Sequence, residues 1–143
     1  MRIAPEVLEG IRRHLTASYP AEGCGFLLGA RRPDGDIEVS VQLPVANARA
    51  ADGEARRRFL IGPDAVRTAE RVAAAAGLVV VGAYHSHPDA PARPSAYDAE
   101  HAWPWYCYLI VSVVSGATRE VRGYELREDR SGFVELALQL KEA

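Results

Sequence analysis

The run Leu78-Val79-Val80-Val81-Gly82-Ala83-Tyr84 is apolar throughout and leads directly into His85-Ser86-His87-Pro88. A short, continuous apolar stretch with β-branched residues, opened by Gly77 and closed by a proline, is the pattern of a buried strand. Residues two apart on a strand point the same way, so His85 and His87 face one common point. A chain built around such a strand must cover it, and the flanking patterns supply helices to do so. Pro5 to Ser18 places Val7, Leu8, Ile11 and Leu15 on one side of a helical wheel. Pro63 suits the first turn of a second helix, which uses Val66, Ala69, Val72 and Ala73 and ends at Gly77.

Other segments read as strands. Cys24 to Gly29 is short, apolar and bounded by glycines, and after the turn cluster Arg32 to Asp36 the residues Ile37, Val39, Val41 and Leu43 alternate with polar neighbours. These two segments predict a hairpin. Pro44 to Arg57 lacks any sustained apolar period and reads as a long loop, with Phe59 to Ile61 a brief strand after it. Beyond the histidines, Pro88, Pro91 and Pro94 mark a loop, and Ser95 to about Trp103 a short helix stopped at Pro104. Trp105 to Val114 is a second central-strand candidate, while Glu120 to Leu126 and Phe133 to Leu140 complete the sheet. The last segment also tolerates a helical reading.

At 143 residues the chain is one domain, long enough to bury a core without staples. Seventeen basic and nineteen acidic residues give a net charge of -2, in which nothing suggests a nucleic-acid footprint; Arg56-Arg57-Arg58 is a local exception that reads as a solvated loop edge. Cys24 and Cys107 are too few for a disulfide framework, no apolar run is long enough to span a bilayer, and the first residues lack the apolar core of a signal peptide. A soluble cytoplasmic protein is the expectation, with no membrane partner.

The chemistry sits after the buried strand. Two imidazoles and the carboxylate of Asp98 form a donor set suited to Zn²⁺, and three protein ligands leave the fourth tetrahedral position for water. That is a catalytic rather than a structural arrangement, and it points to hydrolysis. Such a site needs a proton carrier that is not itself a ligand. Glu22, a lone acid between the first helix and an apolar strand, is the best candidate, although spacing alone favours an ordinary solvated turn residue. Ser95-x-x-Asp98 also has the form of a capping box, which need not exclude metal binding by Asp98 or hydrogen bonding by Ser95 toward a reacting oxygen. His101, three residues after Asp98, reads as an exposed helical histidine, and His14 as structural or solvent-facing. Asp89 and Glu100 read as surface acids. Trp103, Trp105 and Tyr106 line a groove or pack the core, and Cys24 reads as a small buried hydrophobe.

With Glu22, His85-x-His87-Pro88, Ser95 and Asp98 in this order, the chain resembles the JAMM (MPN-plus) family of zinc metalloproteases over most of its length. The resemblance implies an α/β fold, a three-layer α-β-α sandwich with a mixed central sheet like that of cytidine deaminases, in a single domain over residues 1–143. It implies His85, His87 and Asp98 as zinc ligands, Glu22 as general base and Ser95 as a donor to the tetrahedral intermediate. Among the family's branches the chain is most similar to compact prokaryotic enzymes that cut after the Gly-Gly tail of ubiquitin-like sulfur-carrier proteins. The loop from Pro44 to Arg57 is then a candidate wall of the substrate groove, and a homodimer stays open. A non-catalytic MPN-type binding module and a zinc hydrolase of another substrate are the competing readings.

Overall fold

The computed structural model describes residues 1–46 and 62–141. Its elements in chain order are β1 (Arg2–Ile3), α1 (Pro5–Ser18), β2 (Cys24–Arg31), β3 (Ile37–Val45), α2 (Pro63–Ala75), β4 (Val79–Pro88), α3 (Ala96–His101), β5 (Cys107–Val114), β6 (Ala117–Leu126), β7 (Phe133–Leu136) and β8 (Gln139–Leu140). Among the described residues the strands form one mixed sheet in the order β7-β6-β5-β4-β2-β3-β1-β8. The expected hairpin is present as the antiparallel pair β2 and β3, and β4 lies between β2, antiparallel, and β5, parallel.

The two longer helices cover opposite faces of this sheet. Val7, Leu8, Ile11 and Leu15 of α1 pack on Leu27, Val39, Tyr84, Leu109 and Val111. Ala69 and Ala73 of α2 pack on Phe26 and Leu28, the strand neighbours of Leu27, whose side chains therefore point the other way. Helix, sheet and helix make the three layers. Val72, expected on the buried face of α2, is instead 41% exposed, and small alanines let that helix lie close to the sheet.

Side-chain alternation along β4 is interrupted once. Leu27 pairs with Gly82 but Leu28 pairs with Val80, so Val81 is an extra residue on β4. Val80 consequently packs on the α2 side while Val81 and Tyr84 pack on the α1 side. By alternation from Tyr84, His85 and His87 project on the α2 side.

Three segments depart from the sequence-based expectation. Phe133 to Leu140 is not one strand: β7 and β8 occupy the two extreme edges of the sheet, with only Ala137 and Leu138 between them. Three residue steps span at most about 11 Å, so the sheet must roll until its edges approach. The roll encloses α1, which contacts β3, β5 and β6. The break falls where the chain leaves β6 and pairs with β1, a two-residue strand too short to leave a periodic signal. Second, β3 continues through Val45, with Pro44 opposite Gly25 on a stretch that β1 no longer borders, where a missing N–H costs no ladder bond. The remainder of the expected loop, and the strand at Phe59 to Ile61, lie outside the described residues. Third, Trp105 and Tyr106 precede β5 instead of opening it; Tyr106 is buried and Trp105 is 64% exposed.

Tyr84 ties the α1 layer to the sheet. Its hydroxyl donates to Gln42 Oε1 at 2.9 Å and lies 2.7 Å from His14 Nδ1, and burial lowers the pKa of His14, so the neutral ring is the favoured partner. The ring lies over Gly25, where a Cβ would stand 2.4 Å from it. Gly25→Ala is therefore expected to displace Tyr84 and to lower stability by about 1–3 kcal/mol, the usual cost of overpacking a core. A urea midpoint unchanged from the parent protein would contradict this packing.

Candidate metal centre

His85 and His87 reach the α2 side of the sheet near the end of β4, and both are buried. Asp98 reaches them from α3. That six-residue helix starts in a capping box: Ser95 Oγ accepts the Asp98 N–H at 3.1 Å, and Asp98 Oδ2 accepts the Ser95 N–H at 2.8 Å. Capping and convergence on the histidines thus use the same carboxylate, as the spacing allowed. His85 Nε2 lies 3.1 Å from His87 Nε2, and each lies 3.2 Å from an Asp98 oxygen. These three residues are a group that could hold a metal ion.

The donor set fits such an ion. A tetrahedral cation with bonds of about 2.0–2.1 Å needs donors roughly 3.3 Å apart, close to the separations observed. His87 Nδ1 is 2.9 Å from the Pro91 carbonyl, which can only accept, so this nitrogen carries the proton and Nε2 of the neutral ring offers its lone pair.

The loop between His87 and Ser95 is held to the sheet at several points. Asp89 N–H donates to the Val113 carbonyl at 2.7 Å, Ser112 Oγ to the Ala90 carbonyl at 2.5 Å, and Tyr124 Oη to the Ala92 carbonyl at 2.7 Å. At the far end of α3, the Arg130 guanidinium donates to the carbonyls of Ala99 (2.8 Å), Ala102 (2.9 Å) and Glu100 (3.3 Å). Arg130 supplies partners for helix-end carbonyls that would otherwise lack them. Neither Tyr124 nor Arg130 carries a sequence signal for this role, because their partners are backbone carbonyls some thirty residues away.

Glu22 is 8% exposed, so it is not a solvated turn residue. Burial opposes a proton on His87, but hydrogen bonds to Asp98 and the Pro91 carbonyl, with the charges of Asp98 and Glu22, outweigh it and raise its pKa. Burial likewise pushes the Asp98 carboxyl up, yet the charge of His85 and hydrogen bonds from His85, His87 and the Ser95 N–H hold it well below the carboxylate range. Cys24 is directly opposite His85 in the β2–β4 ladder. Burial, with the Glu22 charge, pushes its thiol up to about 12, so it stays protonated and unreactive.

A cavity of ≈ 260 Å³ borders His85 and Asp98, its walls built from Phe26, Tyr97, Trp103, Tyr106, Tyr108 and Phe133. His101 stacks on Tyr97 at 4.0 Å beside this cavity and bonds the Tyr97 carbonyl rather than joining the ligand group. His14 lies on α1, bonded to Tyr84. Asp89 is an exposed acid, as expected, but it also accepts from the Ser115 N–H and the Tyr19 hydroxyl.

Residues 4–126 match the model of prokaryotic homologs of the JAB domain. The chain belongs to this family. JAB-family relatives include the desampylase of Haloferax volcanii, 38% identical over 85% of each chain. A probable TtuB-protein conjugate cleaving protease of Thermus thermophilus is 34% identical over 67% of this chain and 59% of that protein. Among solved structures, a protein of Salinibacter ruber is 42% identical with a TM-score of 0.78, covering 99% of this chain and 92% of that one. A JAB1/MPN domain protein of Archaeoglobus fulgidus shares the fold at a TM-score of 0.62 and 20% identity, covering 99% of this chain and 100% of that one. The chain is thus a JAB-domain protein with a mixed α/β fold.

Two outcomes follow for this JAB-family centre. The raised pKa of His87 means that the metal-free protein gains stability from that proton below the unfolded value near 6.5 and loses it as pH rises through the folded pKa. A metal must displace the same proton, so its affinity should strengthen as pH rises across that window, measured by competition with a chelator at pH 6 and pH 8. Equal affinity at both would contradict the assignment. Arg130→Ala should loosen α3 and weaken metal retention about tenfold in the same assay, with retention equal to the parent as the contrary result.

Proposed function

We propose that the chain is a zinc-dependent peptidase or isopeptidase that hydrolyses the bond following the C-terminal Gly-Gly tail of a ubiquitin-like sulfur-carrier protein. The convergence of His85, His87 and Asp98 at mutual distances of 3.1–3.2 Å, with buried Glu22 close enough to influence His87, carries this reading. The names of the relatives, a desampylase and a conjugate cleaving protease, support the substrate class.

His85 and His87 offer imidazole nitrogens, and Asp98 a carboxylate oxygen, to the ion. Zinc held there supplies a Lewis acid that brings the pKa of water toward neutrality and polarises a carbonyl. Glu22 takes a proton from the attacking water and returns it to the leaving amine, so that one C–N bond is exchanged for an acid and a free amine. Ser95 uses an oxygen lone pair for the Asp98 N–H, which leaves its own O–H to donate to the oxygen where negative charge develops. The aromatic cavity excludes water beside the reacting carbonyl and offers apolar surface to the substrate. Glycines suit the final tail positions because a backbone without Cβ approaches a buried centre closely.

Glu22→Gln should retain one zinc per chain and lower turnover of a Gly-Gly-linked conjugate by about 10²-fold, followed by mass spectrometry of the cleaved tail. His85→Ala and Asp98→Ala should instead lose the metal by elemental analysis. A zinc-loaded parent protein that binds carrier conjugates tightly and leaves them uncut would favour a binding module over an enzyme.

A further inference from the structure

Ser86 stands between the two histidines and alternates onto the opposite face of β4. It is 1% exposed. Its Oγ accepts the Gly23 N–H at 2.9 Å, and its own N–H donates to the Gly23 carbonyl at 3.0 Å. β2 begins only at Cys24, so Gly23 lies just ahead of the regular ladder, where Ser86 engages both of its main-chain polar groups. On its other side Gly23 is pressed against the end of α1: a Cβ there would stand 2.7 Å from Ser18 Oγ and 2.8 Å from Leu15 Cδ2.

The N–H held by Ser86 belongs to the rigid peptide plane that links Glu22 to Gly23. Fixing that plane fixes the rotation about the Glu22 Cα–C bond, and glycine on the far side imposes no restriction of its own. We propose that Ser86 is a positioning residue whose hydroxyl locks the Glu22–Gly23 peptide and so aims the Glu22 carboxylate into the site. The same three-residue stretch then directs ligands from one face of β4 and orients the proton carrier from the other. This inference rests on the reading of Glu22 as proton carrier. Removing the hydroxyl leaves the buried Gly23 N–H without its acceptor and lets the peptide rotate, and small displacements of a reacting group cost turnover steeply.

The test is a double-mutant cycle. Ser86→Ala and Ser86→Thr are made alone and in the Glu22→Gln background, with zinc content, single-turnover cleavage of a Gly-Gly-linked conjugate and exchange of the Gly23 amide proton measured for each. Ser86→Ala should keep its zinc, lose about tenfold or more in turnover, and exchange the Gly23 amide faster. Ser86→Thr, which keeps a hydroxyl, should restore both. In the Glu22→Gln background the Ser86→Ala loss should vanish, because the group it positions is already disabled. Equal losses in the two backgrounds, parent-like turnover of Ser86→Ala, unchanged Gly23 exchange, or loss of zinc would each overturn the proposal. A parent protein that cuts no conjugate defeats the substrate reading instead, while Gly23 exchange still decides whether Ser86 holds that peptide. Parent-like turnover of Glu22→Gln removes the base assignment and the proposal with it.

Discussion

The pairing of β4 on both edges governs the rest of the molecule. Antiparallel β2 brings Cys24 opposite His85, and parallel β5 brings Ile110 and Ser112 opposite His85 and His87. A strand held on both sides cannot slip, because a shift of one residue would turn both histidines away from Asp98 and drive Tyr84 into their place. The extra residue Val81 sets which face they use, by resetting the alternation after the first part of the strand has packed on α2.

The convergence of His87 and Asp98, eleven positions apart, also requires that the connection between them be rigid. A proline-rich loop alone does not provide this. The carbonyls of Ala90, Pro91 and Ala92 receive hydrogen bonds from Ser112, His87 and Tyr124, so the loop is attached to β5, β4 and β6 in turn. Asp98 is then fixed at the start of its helix by Ser95 and at the end by Arg130. Because α3 has only six residues, such end contacts supply order that its own length cannot.

Burial and charge act together at this centre. Glu22, His85, His87 and Asp98 are all withdrawn from water, which strengthens each electrostatic interaction among them. The same burial, with the Glu22 charge, raises the pKa of the Cys24 thiol, which stands opposite His85 in the ladder.

Local pattern determined much of this. The apolar period of α1, the hairpin β2–β3, the buried run before the histidines and the Ser95–Asp98 cap all follow from short-range preferences, and the order of Glu22, His85, His87, Ser95 and Asp98 marked the family. Tertiary structure decided what depends on distant partners. A turn acid became a buried one when the end of α1 and β4 closed around Glu22-Gly23. The segment after Phe133 divided between two edges because the sheet rolls around α1. Arg130, Tyr124 and Ser86 acquired their roles only by facing backbone groups far away in sequence, since such contacts depend on how strands and helices pack and leave no periodic trace in the chain.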